Sequence, residues 1–103
     1  MSQFDQVSVI KKANVFFDGK CISHTVLFVD GSKKSVGVIF PSTLTFNTAA
    51  AEVMEIMSGQ CRVKVAGESN FREVKAGESF SIPSHSSFQI EVIELVDYVC
   101  HFQ

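Results

Sequence analysis

Two side chains of this sequence, His85 and Glu52, stand where a small β-protein could use them for acid–base or hydrogen-bonding chemistry. Residues 77–85 read Gly-Glu-Ser-Phe-Ser-Ile-Pro-Ser-His, which is a glycine turn, an alternating strand and a proline turn. Pro83 has no N–H to donate and ends the strand, so His85 is expected at a rim, where binding sites are common. The alternative is a turn histidine bonded to backbone carbonyls.

Glu52 begins a second alternating segment, in which Glu52, Met54 and Ile56 share one face of a strand. If that face points inward, burial raises the pKa of the carboxyl group and leaves its oxygens free to accept hydrogen bonds from hydroxyl groups. The alternative is a carboxylate that begins an edge strand and faces water. In the first case, we expect Glu52 and His85 to share one cleft.

Size and charge limit the classes of function. With 103 residues the chain forms one domain, and its 46% of hydrophobic residues, ten Phe among them, can build a sizeable core. Nine basic and eleven acidic residues give a net charge of −2, whereas proteins that bind nucleic acid through its phosphates are usually basic. We therefore expect no nucleic-acid partner.

The cysteine pattern and the absence of targeting signals point to the cytoplasm. Cys21, Cys61 and Cys100 are odd in number and widely spaced, which disfavours a disulfide framework and a zinc site. Buried free thiols in a reducing compartment are the simplest interpretation. No signal peptide is apparent, and no apolar stretch reaches the length of a membrane span, so no membrane partner is expected.

Short strands separated by turn signals follow one another along the chain, which is typical of an all-β sandwich or barrel. The turn signals are Asp18-Gly19, Asp30-Gly31, Pro41-Ser42, Ser58-Gly59, Ala66-Gly67, Ala76-Gly77 and Pro83-Ser84. The predicted strands are 15–17, 23–29, 35–40, 43–47, 52–57, 61–66, 71–75, 79–82, 87–93 and 97–102.

Two segments are less regular. Residues 49–57 consist largely of helix formers, but clean alternation resumes at once after them, which favours a loop at 49–51 and a strand at 52–57. Residues 1–13 are predicted to be an N-terminal arm on a domain that spans 14–103. The arm is either loosely attached or exchanged between the subunits of a dimer.

The order of the turns resembles that of the cupins, whose fold is a double-sheet jelly-roll barrel. In the first cupin motif two histidines and a glutamate precede a turn glycine; with Gly59 as that glycine, these positions are Phe46, Thr48 and Glu52. The histidine of the second motif falls at Phe88. First-row metals take three or four ligands, so the resemblance implies a single-domain, all-β cupin jelly roll that has lost its metal.

Several short motifs are together similar to the small, metal-independent cupins of the pyrimidine/purine nucleoside phosphorylase family. They are Ser35-Val36-Gly37-Val38, Thr45-Phe46-Asn47-Thr48-Ala49, Glu52-x-Met54, Ser58-Gly59, Ala76-Gly77-Glu78-Ser79-Phe80, Pro83-x-His85-Ser86 and Asp97-Tyr98-x-Cys100. The similarity runs from about Asn14 to Phe102. It implies phosphorolysis in nucleoside salvage: nucleoside and inorganic phosphate give a free base and a pentose 1-phosphate, with broad base tolerance and without a cofactor.

Phosphorolysis needs an anion site beside C1′, groups that orient the ribose, and stabilisation of the departing base. Glu52 and His85 are the predicted catalytic residues, because a carboxylate offsets charge on an oxocarbenium-like sugar and an imidazole can donate to phosphate or base. Lys33 is the predicted phosphate partner, with Lys34 as its alternative. The other predicted substrate-binding residues are Ser42, Thr43, Phe46, Thr48, Ser84, Ser86, Phe88, Tyr98 and His101.

For each of these residues the alternative is an ordinary structural role. Serines are common in turns, lysines usually face solvent, and Phe46 and Phe88 could belong to the core rather than to an apolar wall for a base. Tyr98 and His101 lie on opposite faces of the last strand, so one of the pair is expected at the pocket. Cys100 is expected to be an inert buried thiol.

Two other functions are compatible with the sequence. The same scaffold could serve as a non-catalytic small-molecule binding module or, with a metal, as a cupin isomerase or dioxygenase. Small cupins cover exposed sheet edges by pairing subunits, so a homodimer is expected in either case.

Overall fold

A computed structural model of the protein describes residues 2–103. In that part of the chain no helix has the length and apolar character needed to cross a bilayer. A short 3₁₀ turn lies at Phe17–Gly19, and the strands are β1 (Ser8–Val9), β2 (Asn14–Phe16), β3 (Cys21–Leu27), β4 (Lys33–Ile39), β5 (Ser42–Asn47), β6 (Glu52–Val65), β7 (Arg72–Lys75), β8 (Ser79–Ile82) and β9 (Ser87–Phe102). All strand pairs are antiparallel, and the all-β prediction is confirmed.

The two longest strands, β6 and β9, each take part in both sheets of the barrel. They pair with each other along most of their length, from Glu52 opposite Phe102 to Val65 opposite Phe88. The first half of β6 and the second half of β9 lie in a sheet with β8, β4 and β3, whereas their other halves lie between β7 and β5. Each long strand therefore passes from one sheet to the other, which closes the jelly roll.

The passage between the sheets occurs at a series of β-bulges. Ser58 pairs with Asp97 and Gln60 pairs with Glu94, so β9 has one residue more than β6 around Gly59. Gly59 has a φ of +98°, a left-handed conformation that residues with a β-carbon rarely adopt. The bulges bend the paired strands while the ladder continues on both sides.

The bulges explain where the strand prediction was wrong. The predicted strands 52–57 and 61–66 are one strand, and so are 87–93 and 97–102. A glycine signal normally marks a turn, but here it marks a bend inside a continuous strand. The predicted loop at 49–51 is confirmed.

Alternation along the strands places apolar side chains inside the barrel. Ile56, Val63 and Ile90 are fully buried there, as are Ile39 of β4 and Val74 of β7. The buried polar residues among those described are Ser23, Ser35 and Thr48.

The N-terminal segment lies against its own chain. β1 pairs with β3, and the ring of Phe4 contacts that of Phe28 edge-on, with their centroids 5.2 Å apart. Met1, the first residue of the predicted arm, lies outside the described residues. The division into an arm at 1–13 and a domain at 14–103 stays a prediction.

Candidate active site

The barrel opens at one end into a cavity of about 220 Å³ between β2, β3, β4, β5, β6 and β9. Its lining includes both apolar and polar side chains. The apolar residues, here named the aromatic wall, are Phe16, Phe46, Met54, Phe88 and Phe102. A group of polar residues, here named the polar floor, comprises Asn14, Ser23, Thr25, Ser35, Glu52, Tyr98 and Cys100. The two groups adjoin where Glu52 pairs with Phe102 and Met54 with Cys100.

The aromatic wall is built on a pair of facing residues. Phe46 of β5 and Phe88 of β9 are opposite each other in the ladder, and their rings stack with centroids 5.3 Å apart and 15° between planes. Phe17 meets Phe46 edge-on at 5.1 Å, and Phe80 meets Phe88 edge-on at 5.4 Å. Phe46 and Phe88 thus line the cavity, as the sequence predicted, and a flat apolar wall of this kind suits a planar ring.

Hydrogen bonds join the side chains of β2, β3 and β9 within the polar floor. The Nδ2 atom of Asn14 donates to Ser23 Oγ and Thr25 Oγ1, each at 3.3 Å. The Tyr98 hydroxyl lies 3.5 Å from Cys21 Sγ. Burial raises the pKa of Tyr98 far above its ordinary value, so the phenol keeps its proton and can donate it.

Glu52 is the one carboxylate among the described residues that line the cavity. It lies on the inner face of β6 two residues before buried Met54, in the strand phase that the sequence predicted. Burial raises the pKa of the Glu52 carboxyl group. In residues 2–103 no three His, Cys, Asp or Glu side chains are grouped so that they could hold a metal ion.

Lys33 places a positive charge at the edge of the cavity. It begins β4, is exposed, and its Nζ lies 5.4 Å from the centroid of the Phe102 ring. Lys34 lies on the other face of the strand, where its Nζ is 2.7 Å from His101 Nδ1. Of the two lysines considered as phosphate partners, the structure therefore brings Lys33 to the cavity.

His85 lies outside the cavity lining. It is exposed on the turn after β8, and its backbone has a φ of +51°. The backbone N–H of His85 donates to the carbonyl of Ala49 at 3.1 Å, which ties the turn to the neighbouring loop beyond the ends of the strands. His85 therefore does not line this cavity together with Glu52, although Ile82, three residues before it, pairs with Glu52; its catalytic role stays a prediction.

Thr48 and the serines of the same turn also lie outside the lining. The Thr48 hydroxyl donates to the carbonyl of Pro83 at 2.7 Å and accepts a hydrogen bond from the Ser86 backbone N–H at 2.9 Å. The Thr48 hydroxyl thus both donates and accepts a hydrogen bond within the turn. Ser84 is exposed at the tip of this turn. These residues shape the turn rather than the cavity.

Ser42 and Thr43 lie too far along β5 to reach the cavity. The Ser42 hydroxyl donates to the carbonyl of Phe40 at 2.7 Å, and Thr43 is exposed. The cavity receives Phe46 and Asn47 from this strand instead. Ser42 is four residues before Phe46, which is roughly 13 Å along an extended strand.

His101 lies on the outer face of β9, away from the cavity. Its Nε2 is 2.9 Å from Glu55 Oε1, and its Nδ1 is 2.7 Å from Lys34 Nζ. Tyr98 faces inward and lines the cavity. The prediction that Tyr98 and His101 occupy opposite faces is confirmed, and Tyr98 is the member of the pair at the site.

Sequence reasoning missed much of the polar floor, namely Asn14, Ser23, Thr25, Ser35 and Cys100 as site residues. A signal was present: the residues at positions 23 and 25 are small, polar and two apart, so they had to share a face of β3. Alternation divides the residues of a strand between two faces but does not show which face points into the barrel. The face that begins with the buried Cys21 carries small polar residues at positions 23 and 25, so its composition did not identify it as the inner face. Cys100 is buried as expected, but it borders the cavity.

The sequence matches a known family over nearly all of its length. The family model described as "Pyrimidine/purine nucleoside phosphorylase" matches residues 11–102. Relatives carrying this name include proteins from Thiobacillus denitrificans, 65% identical over 103 residues and covering 99% of each chain, and from Cupriavidus taiwanensis, 63% identical over 103 residues and covering 100% of this chain and 98% of the relative. A third, from a Janthinobacterium species, is 61% identical over 101 residues, or 98% of this chain and 97% of the relative.

Solved structures agree with the fold. A crystal structure of a protein of unknown function from Acinetobacter sp. ADP1 superposes with a TM-score of 0.96 at 55% identity, covering 98% of both chains. An RmlC-like cupin from Shewanella frigidimarina has a TM-score of 0.70 at 16% identity over 97% of this chain and 86% of its own, which shows the cupin fold alone. From the family match and the identity over whole chains, this protein belongs to the pyrimidine/purine nucleoside phosphorylase family.

Proposed function

We propose that this protein is a nucleoside phosphorylase that converts purine and pyrimidine nucleosides and inorganic phosphate to free base and pentose 1-phosphate. The observation that carries the proposal is one cavity lined both by a stacked aromatic pair, Phe46 and Phe88, and by polar side chains that include the half-buried carboxylate of Glu52. A nucleoside has the same division, with a planar base at one end and a sugar with several hydroxyl groups at the other. The names of the relatives support the same reaction.

Phosphorolysis forms a bond from a phosphate oxygen to C1′ and breaks the bond from C1′ to the base nitrogen. The electron pair of the broken bond leaves with the base, and positive charge develops on the sugar in the transition state. In this proposal, Glu52 accepts hydrogen bonds from ribose hydroxyls and offsets that charge. Burial makes the interaction stronger than it would be in water, since the cavity lowers the local dielectric constant.

The aromatic wall supports broad base tolerance. Phe46 and Phe88 present π surfaces, and stacking on such surfaces does not depend on the hydrogen-bonding pattern of a base. The polar groups of the lining, Glu52 among them, are proposed to bind the sugar.

Lys33 is proposed to bind the phosphate at the cavity mouth. Replacing it with alanine is expected to raise KM for phosphate about tenfold with little change in kcat, the size expected from losing one charge-assisted hydrogen bond. Steady-state kinetics with phosphate as the varied substrate measures this. Lys64 is a matched control, because its Nζ also lies 5.4 Å from an aromatic centroid, that of Phe71, but outside the cavity lining. An equal rise in Lys64→Ala would contradict a specific role for Lys33.

The proposed biological setting is nucleoside salvage in the cytoplasm. Three buried free thiols, at Cys21, Cys61 and Cys100, suit a reducing cytoplasm, in which nucleoside salvage takes place. A net charge of −2 gives no support to nucleic-acid binding. We propose a homodimer, because pairing would cover apolar side chains that are exposed in the single chain, such as Met57, Ile93 and Leu95.

The function is tested by incubating the protein with inosine or uridine, with and without phosphate, and measuring free base and pentose 1-phosphate. The proposal requires both products and dependence on phosphate. Release of base without phosphate would instead indicate a hydrolase, and binding without turnover would indicate a non-catalytic module. Activity that a chelator abolishes and added metal restores would indicate a metal-dependent cupin enzyme.

A further inference from the structure

We propose that Asn14, Ser23 and Thr25 complete the phosphate site to which Lys33 contributes its charge. The two hydroxyl groups donate hydrogen bonds to phosphate oxygens, and the amide of Asn14 is a positioning group that holds both hydroxyls. The inference rests on the proposed function, in which phosphate attacks C1′. Because the product is a pentose that carries the phosphate on C1′, the phosphate site has to adjoin the sugar, within the same polar lining.

Strand pairing brings the three polar side chains together. Asn14 of β2 is directly opposite Ser23 of β3, and Thr25 is two residues further along β3, on the same face. The Nδ2 atom of Asn14 donates to both hydroxyl oxygens at 3.3 Å, and all three side chains line the cavity. One amide therefore fixes two hydroxyl groups, and the three residues are here named the donor trio.

The donor trio has more hydrogens than its own hydrogen bonds use. The amide NH₂ group has two hydrogens and each hydroxyl has one, whereas two hydrogen bonds join the three side chains. Within residues 2–103 neither hydroxyl donates to another group, so both hydroxyl hydrogens are left for a ligand. Turning the amide round would let both hydroxyls donate to its oxygen and would free the amide hydrogens instead. Two donors remain in either orientation.

A surplus of donors suits an anion better than a sugar. Phosphate oxygens mainly accept hydrogen bonds, whereas every sugar hydroxyl also brings a hydrogen that needs an acceptor. The charged acceptor in the described lining is the carboxylate of Glu52, which does not belong to the trio. A hydroxyl that itself accepts a hydrogen bond is also a stronger donor, so the amide of Asn14 strengthens the hydrogen bonds that the trio offers to phosphate.

Lys33 adds a positive charge next to the donor trio. Thr25 pairs with Ser35 of β4, and Lys33 lies two residues before Ser35, on the same face of that strand. Thr25 and Lys33 are therefore diagonal neighbours, with Cα atoms roughly 7–8 Å apart, a distance that a lysine side chain can span. Hydroxyl donors and an ammonium group thus border the same part of the cavity.

The strand order keeps this anion site apart from the carboxylate. Glu52 of β6 pairs with Phe102 of β9, and the Nζ atom of Lys33 on β4 lies on the other side of that phenylalanine, 5.4 Å from its ring centroid. β9 lies between β4 and β6, so Lys33 and Glu52 are two strand spacings apart, or roughly 10 Å. A pentose between them would meet the carboxylate on one side and the phosphate on the other, with little repulsion between the two anions.

Asn14→Asp is the sharpest test of the donor trio. Aspartate has nearly the same shape, but its carboxylate only accepts, so it would take up both hydroxyl hydrogens and bring a negative charge to the site. We expect KM for phosphate to rise about a hundredfold or more, and KM for inosine or uridine to stay within about threefold of the wild type. Steady-state kinetics, with each substrate varied in turn, measures the two constants.

Thr25→Val is a milder variant for which folding is not at issue, because valine keeps the branched shape and suits a strand. Loss of one hydrogen bond to an anion is expected to raise KM for phosphate about tenfold. Thr45→Val is the matched control, since Thr45 is exposed on β5 and is not part of the cavity lining; both KM values should stay unchanged there. If Thr25→Val raises KM for the nucleoside instead, or both KM values equally, the phosphate assignment is wrong.

A binding measurement separates this inference from the proposed function. Isothermal titration calorimetry with inorganic phosphate, in the absence of nucleoside, should show binding to the wild type and much weaker binding to Asn14→Asp, even if the protein proves to have no phosphorylase activity. No binding to the wild type, or equal affinity in the two proteins, would overturn the assignment of the donor trio. Phosphorolysis with an unchanged KM for phosphate in both variants would overturn it as well, while leaving the proposed function intact.

Discussion

Glu52→Gln is expected to lower kcat/KM for nucleoside phosphorolysis by about two to three orders of magnitude, with the fold intact. Removing one preorganised electrostatic group from an enclosed site typically costs about this much. Glutamine keeps the size and one hydrogen-bond acceptor but has no negative charge to offset that of the sugar. The measurement is steady-state turnover of inosine or uridine at saturating phosphate.

The same substitution should not reduce stability at neutral pH. Because burial raises the pKa of Glu52 in the folded state, the folded protein holds this proton more tightly than the unfolded chain. Glu52 therefore favours folding at acidic pH, and this contribution is lost as the pH rises through the folded-state pKa. At neutral pH Glu52→Gln is expected to be at least as stable as the wild type, as measured by urea unfolding.

Glu94→Gln is the control for the charge change itself. Glu94 is exposed on β9 and is not part of the cavity lining, so its loss should leave turnover within about twofold of the wild type. A Glu52→Gln protein that is folded and retains more than about a tenth of wild-type kcat/KM would contradict the proposed role of the carboxylate.

Strand alternation explains why one half of the site could be predicted from the sequence. Glu52, Phe46, Phe88 and Tyr98 all lie on regular strands, where a period of two determines which residues share a face. Alternation put Glu52 on the face of Met54 and Ile56 and put Tyr98 and His101 on opposite faces, whereas Phe46 and Phe88 were identified from the resemblance to the cupin motifs. Each of these four lines the cavity, as expected.

Four of the predicted site residues that do not line the cavity, Thr48, Ser84, His85 and Ser86, lie in loops, where alternation does not apply. His85 follows a proline in a turn, and its left-handed backbone and its hydrogen bond to Ala49 depend on a contact with a distant segment. Thr48 is satisfied by Pro83 in the same way. Such contacts between loops arise from the closed barrel, so the local sequence does not contain them.

Within strands, the bulges show the same limit of prediction from the local sequence. A glycine after a strand predicts a turn, and Ser58-Gly59 has that pattern. Whether a chain turns or bends at such a glycine depends on whether a partner strand continues beside it. Here β9 continues, with one extra residue opposite Gly59, and β6 remains paired.

Gly59→Ala is accordingly expected to be the most destabilising of the simple substitutions considered, at roughly 2–6 kcal/mol. A β-carbon at a φ of +98° causes backbone strain of about 1–3 kcal/mol. It would also collide with the carbonyl oxygen of Leu95 and lie 2.9 Å from the Cα of Val96, and overpacking of this kind adds roughly 1–3 kcal/mol. The obstacle is backbone of the paired strand, which cannot move aside without breaking the ladder. Urea unfolding measures the loss.

Comparison with Gly67→Ala separates the cost of backbone strain at positive φ from the cost of a steric collision. Gly67 has a similar φ of +91°, but an added β-carbon there meets no atom within 4 Å. We expect it to lose only the strain contribution, about 1–3 kcal/mol. Small domains are stable by only about 5–15 kcal/mol, so Gly59→Ala should be largely unfolded under conditions in which Gly67→Ala remains folded. Equal losses in the two variants would mean that the bend at Gly59 does not depend on close contact with β9. The passage of β6 and β9 between the two sheets, and with it the position of Glu52 beside the aromatic wall, would then need another explanation.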